Sequence, residues 1–125
     1  MKIDISPLGL KKKTAVIKPT IKVTDQAQLI QIQVLEMQDP TITKDWSMVQ
    51  SIKRAREARQ TILEFYQDIF KLTDNDMKRI ADNLTEGDIG DFFGYLTYRL
   101  QGFSDEQIKL EDEKQEKVET DPKKD

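Results

Sequence analysis

The chain is 125 residues long, 37% hydrophobic and 34% charged, with a net charge of −3; these proportions fit one small domain plus some charged sequence without a core of its own. Cysteine and histidine are both absent, which excludes disulfides, thiolate and imidazole metal sites, and the commonest nucleophile and general-base pairs. No apolar run approaches the ~18 residues of a membrane span, and the first ten residues lack the apolar block of a secretory signal. A cytoplasmic protein with no membrane span, no cofactor and no enzymatic activity is therefore expected.

Charge is spread unevenly. Residues 1–24 hold six lysines against Asp4, and residues 105–125 hold nine acids against five lysines. One reading of the N-terminal segment is a basic arm for nucleic acid. The preferred one is that Lys11-Lys12-Lys13 keeps a mobile N-terminus soluble, because no aromatic residue lies among the first 24 to stack on bases.

Thr14 to Val23 is rich in β-branched residues but contains Pro19, which cannot donate to a ladder, so an edge strand or short hairpin is expected there. From Asp25 to Gln38 two periods coexist. Ile30, Ile32 and Val34 alternate with glutamines as in a strand, whereas Ala27, Ile30, Val34 and Met37 share a helical face behind an Asp25/Gln28 capping box. The helix is preferred, and Asp39-Pro40 ends it.

Asp45 to Leu72 predicts one long helix, with Val49, Ile52, Ala55, Ile62, Leu63, Tyr66, Ile69 and Phe70 recurring as a single apolar stripe. Its middle carries Arg54, Arg56 and Arg59. Arg56 and Arg59 project near the apolar stripe while Arg54 points away, and arginines beside an apolar face bury their stems and fork onto carboxylates. The expected intramolecular partners are Asp88 or Asp91, and the alternative is a partner surface.

Three start signals follow, at Thr73, Thr85 and Ser104, each with an apolar residue before it and an acid or amide three positions on. Each predicts a capped helix beginning near 74, 86 or 105. In the second, Ile89, Phe92, Phe93, Leu96 and Leu100 form the buried stripe, and Gly102 supplies the left-handed residue that ends it. Tyr95, Tyr98 and Phe103 fall off that stripe and, with Arg54, Arg56 and Arg59, are the candidate partner-binding residues.

The expected fold class is mainly α: a small helical domain with a short N-terminal β segment and a flexible charged C-terminal tail. The expected divisions are a basic arm or β segment at 1–24, a helical domain at 25–110 and a disordered tail at 111–125.

The run Tyr98-Arg-Leu-Gln-Gly-Phe-Ser-Asp-Glu-Gln-Ile, followed by an acidic and lysine-rich stretch ending Asp121-Pro122-Lys123-Lys124, resembles the end of the small tail assembly chaperones of long-tailed bacteriophages. Similarity of layout extends back through Leu63-Glu64-Phe65-Tyr66-Gln67-Asp68-Ile69 and Leu72-Thr73, covering residues 45–125, with nothing added by the first 44. The resemblance implies a host-cytoplasmic chaperone, absent from the mature virion, that binds the tape-measure protein before tail tube subunits polymerise, and that self-associates. It also implies contact with tail tube protein through a frameshifted extension, for which Pro122-Lys123-Lys124 is the candidate slip region. The alternatives are a small DNA-binding or regulatory protein using the basic arm, and a structural virion component.

Overall fold

Residues 1–17 form a hairpin whose inward side chains are all apolar. Strand β1 (Lys2–Asp4) pairs antiparallel with β2 (Thr14–Val16), with Ile3 opposite Ala15. The backbone bonds Ile5 N–H to Lys13 O and Ile17 N–H to Met1 O, both 2.9 Å, extend the ladder at each end. Period-2 alternation sends Ile3, Ile5, Ala15 and Ile17 inward, while Lys2, Asp4, Thr14 and Val16 face out. A 3-10 turn at Ser6–Leu8 and a left-handed Gly9 bring Leu8 and Leu10 into the same core.

Of the two readings of residues 1–24, arm or short β segment, the β segment holds and is packed on the helices, with Lys11-Lys12-Lys13 exposed in its loop. Six apolar side chains between Ile3 and Ile17 are buried, and their burial outweighs the entropy of holding the segment still. Pro19 lies beyond the last ladder bond, where its missing N–H costs nothing.

The structure is a computed structural model that describes residues 1–119. After the hairpin come α1 (Ile21–Gln38), a single turn α2 (Pro40–Thr43), α3 (Met48–Phe70), α4 (Asp74–Asn83), α5 (Glu86–Leu100) and α6 (Asp105–Glu119). The fold class read from sequence holds, and the ambiguous 25–38 segment is helical. Its start differs from the expected one. Thr20 is the cap, accepting from Val23 N–H at 3.3 Å, so the helix begins a turn before Asp25.

The later starts fall where the cap signals put them. Thr73/Asp76 and Thr85/Asp88 form reciprocal capping boxes, and Ser104 and Gln107 exchange the same pair of bonds at 2.8 and 3.2 Å. A further box, Ser47/Gln50, opens α3. Each satisfies two otherwise orphaned N–H groups and contributes about 1 kcal/mol.

Helices α1 and α3 run antiparallel, and α5 crosses them in the direction of α3. Gln26, Leu29, Ile30 and Gln33 of α1 face Thr61, Glu64, Phe65 and Asp68. One turn on, Val34 and Met37 face Ala55, Ala58, Ile62 and Ile89. The core joins the hairpin's apolar side chains to Ala27 and Ile30 of α1, Ile62, Phe65, Tyr66 and Phe70 of α3, Ile80 of α4 and Ile89, Phe92, Phe93 and Leu96 of α5. Edge-to-face contacts link its rings, with Tyr66 to Phe92 at 5.3 Å and Phe65 to Phe93 at 6.2 Å between centroids.

Helix α6 is anchored by Ile108, the one apolar residue it buries among those described, and continues to Glu119. The segment read as a disordered tail from 111 is therefore helical over its first nine residues. The rest of that expectation, with the Pro122-Lys123-Lys124 slip region, lies outside the described residues.

Candidate interaction surface

The long-helix stripe read from sequence divides in two. Ile62, Tyr66 and Phe70 are buried, with Ala58 and Phe65 replacing Ala55 and Leu63 at the centre of the face. Val49 and Ile52 are not covered, at 59% and 55% exposure. Every side chain from Ser47 to Glu57 is exposed. The first three turns of α3 thus project beyond the helices that bury its second half.

Arg59 marks the boundary of that projection through its ion pair with Glu86, the first residue of α5. The carboxylate predicted to take this cluster was Asp88 or Asp91; Asp88 is instead committed to capping α5 through Thr85. Arg54 lies over the Trp46 ring, 5.6 Å from its centroid, and 4.0 Å from Glu57. Arg56 is exposed, beside Lys53 on the rim of an open groove that runs to Thr61.

Tyr95, Tyr98 and Phe103 sit elsewhere. Arg59 is level with residue 86 and Tyr98 is twelve residues further along α5, about 18 Å at 1.5 Å per residue. The arginines and aromatics named from sequence therefore occupy opposite ends of α5 and form two separate patches.

At the aromatic end the contacts are mostly internal. Phe103 N–H donates to Tyr98 O at 3.1 Å and Gly102 N–H to Arg99 O at 3.0 Å, the bond pair of a Schellman helix stop. The Tyr98 and Phe103 rings, 5.5 Å apart and edge-to-face, supply the apolar contact that accompanies it, leaving each ring 40% and 37% exposed. The Tyr95 hydroxyl donates to Asp105 Oδ1 at 2.8 Å and accepts from Asp4 N–H at 3.4 Å. Burial, assisted by that carboxylate, pushes its pKa up to about 12.

Sequence reasoning missed Arg99, which ties three elements together. Its guanidinium donates to Lys2 O at 2.8 Å and Phe103 O at 3.1 Å. Its Nε faces Asp105 Oδ1 at 3.4 Å, an ion pair without hydrogen-bond alignment. No local signal points to Arg99, because its partner Lys2 is 97 positions away.

Also missed was how much apolar surface stays uncovered at the opposite end. Met48 is 80% exposed and Ile42 of α2 stands out with Val49 and Ile52, while Leu29, Ile32 and Leu35 along α1 and Val16 and Ile21 near its start are exposed as well. The signal was present in α1, whose apolar residues occupy the outer as well as the inner face; a helix apolar on both sides expects cover on both. The cleft between α1 and α3 holds about 230 Å³, against about 460 Å³ for the groove from Lys53 to Thr61 and about 390 Å³ for the one lined by Asp4, Asp88, Asp91 and Tyr95. Among the described residues no cluster of acidic side chains is placed to hold a metal ion, and no helix is long and apolar enough to cross a membrane.

The scaffold is a small set of capped helices around an aromatic-rich core, with apolar side chains left bare where Met48, Val49 and Ile52 lie. Residues 1–117 match the family described as phage tail assembly chaperone proteins, TAC. The chain belongs to that family, which assigns it a chaperone role among tail proteins and points away from catalysis. The match includes the N-terminal hairpin, so the family likeness begins well before residue 45, where the sequence resemblance started. No curated protein and no solved structure gives a significant match to the chain.

Proposed function

We propose that this protein binds the tape-measure protein and keeps it soluble before tail tube subunits polymerise around it. The observation that carries this reading is the uncovered apolar end of the α1–α3 hairpin, where Ile42, Met48, Val49 and Ile52 are exposed together. A long helical client displays apolar stripes until it is enclosed, and a chaperone for it needs apolar surface that accepts amphipathic helices. The reading also places the protein in the host cytoplasm and outside the mature virion. Self-association and a frameshifted extension that reaches tail tube protein belong to the same proposal.

Co-expression tests it. The longest helix-rich open reading frame near this chain's gene, taken as the candidate tape-measure protein, is produced with and without it, and soluble, co-purifying client is measured. Client that is equally soluble in both cases, or that does not co-purify, refutes the reading. Finding the chain in purified virions supports a structural component instead, and salt-sensitive retention of duplex DNA supports the basic-arm alternative.

A further inference from the structure

We infer that the projecting tip, α2 with the first turns of α3, takes an amphipathic helix whose apolar stripe is bordered by carboxylates. This rests on the tape-measure reading and deepens it, by naming the face used and the chemistry of the segment bound.

The geometry comes first. Ala55 and Ala58 are level with Val34 and Met37 in the last turns of α1, and Arg59 is level with the first residue of α5. Met48 to Arg54 therefore extends past the ends of both neighbours, by about 10 Å at 1.5 Å per residue. A helical stretch that short draws its stability from packing or from the helix it continues. Here the Ser47/Gln50 capping box and the buried second half of α3 hold it in place, while its own apolar side chains stay more than half exposed.

The chemistry follows from what lines it. Val49, Ile52 and Arg56 succeed one another at three- and four-residue steps, so an aliphatic row runs directly into a cation. On the exposed turns of α3 from Met48 to Glu57 the charged side chains are Lys53, Arg54 and Arg56 against Glu57, while Lys44, Glu36, Asp39 and Asp45 lie on the adjoining segments. An occupant thus needs aliphatic side chains at its centre and carboxylates at its edges. A second copy docking by this face across a two-fold axis would set Lys53, Arg54 and Arg56 against the same cations, which disfavours it.

The test uses the full-length protein and the co-expressed tape-measure protein. Two variants are compared with wild type, V49S/I52S and K53E/R54E/R56E, with I21S, an 88% exposed apolar position at the opposite end of α1, as control. All five tip positions are exposed, so melting temperature and mass by light scattering should match wild type. Each tip variant is expected to retain at least about tenfold less client, the scale of losing a central anchor pair, while I21S retains it. Raising salt from about 0.1 to about 0.5 M should weaken wild type and, by screening the repulsion between the new glutamates and the client's carboxylates, strengthen what binding the charge-reversed variant keeps.

Tip variants that hold client as well as wild type overturn the inference and leave the proposed function standing. Loss of self-association with client binding intact assigns the face to a second copy and overturns it too. So does sensitivity to K53E/R54E/R56E without sensitivity to V49S/I52S, which reduces the tip to a charge patch. Failure of wild type to retain client removes the proposed function and this inference with it.

Discussion

Replacing Tyr66 with phenylalanine removes one oxygen from the centre of the core. Tyr66 is fully buried, and its hydroxyl donates to Ile89 O at 2.7 Å, linking α3 to the first turn of α5. The ring remains in Tyr66→Phe, so the edge-to-face contact with Phe92 at 5.3 Å and the tilted contact with Phe70 at 6.1 Å are kept. What is lost is one buried hydrogen bond, about 1 kcal/mol net. Ile89 O stays shielded but lies within a helix, where it also accepts from the backbone one turn on, so no group is wholly orphaned.

At roughly 2.1 cal/mol/K per residue the unfolding entropy of a domain this size converts 1 kcal/mol into a fall of about 4 °C in Tm. Tyr66→Ala adds the loss of the ring and the cavity it leaves, about 3–5 kcal/mol in total. Differential scanning calorimetry and urea titration at neutral pH measure both. A Tyr66→Phe protein that melts with wild type, or that loses as much as Tyr66→Ala, would refute the reasoning. The first outcome denies the bond to α5; the second denies that the ring's packing is the larger part.

Three further outcomes are expected. Gly102→Ala should cost about 1–2 kcal/mol, because φ is +99° there and only backbone strain is added, with nothing within 4 Å of the new Cβ; a thermal melt at wild-type temperature would contradict it. Hydrogen bonds from Ser6 hold the Asp4 carboxyl below its ordinary pKa of 3.8, so its contribution is present above that value and lost as pH falls through the lowered one; Asp4→Asn should flatten that part of the acid limb in a pH series of urea melts. Tyr95, raised to about 12, contributes stability that is whole below pH 10 and fades as pH climbs toward 12. Tyr95→Phe should reduce that alkaline loss and cost about 1 kcal/mol at neutral pH, and an unchanged alkaline limb would count against the Asp105 contact.

Helix starts were legible because capping chemistry is local. Thr73, Thr85 and Ser104 each carry their reciprocal partner three residues on, so the signal and the structure it causes share one turn. The Schellman stop at Gly102 is legible for the same reason. Strands β1 and β2 are three residues each, too short for alternation to register, and their pairing is decided by burial of Ile3 and Ala15 against distant helices. Thr20 was overlooked as a cap because Pro19 read as a strand residue. Arg99 was invisible, since its carbonyl partner belongs to the other end of the chain.

The arginines and aromatics proposed as one surface illustrate a different limit. Periodicity says which side of a helix is apolar and says nothing about what covers it. Val49 and Ile52 follow the same period as Ile62 and Tyr66, yet the first pair is bare and the second buried, because α5 begins level with Arg59 and α1 ends level with Ala55. Coverage is a property of where the neighbouring helices stop.

That difference also separates stability from binding along one helix. From Ala58 to Phe70, α3 is held by buried rings and by the Tyr66 bond to α5, so substitutions there act on folding. From Met48 to Glu57 nothing is buried, and substitutions should leave the melt alone while changing what the protein holds. Arg99 ties the far end of the domain together by joining β1, α5 and α6. A chaperone whose bare face lies outside its own cooperative core can bind and release a client without unfolding itself, because the face it exposes was never part of the balance that keeps it folded.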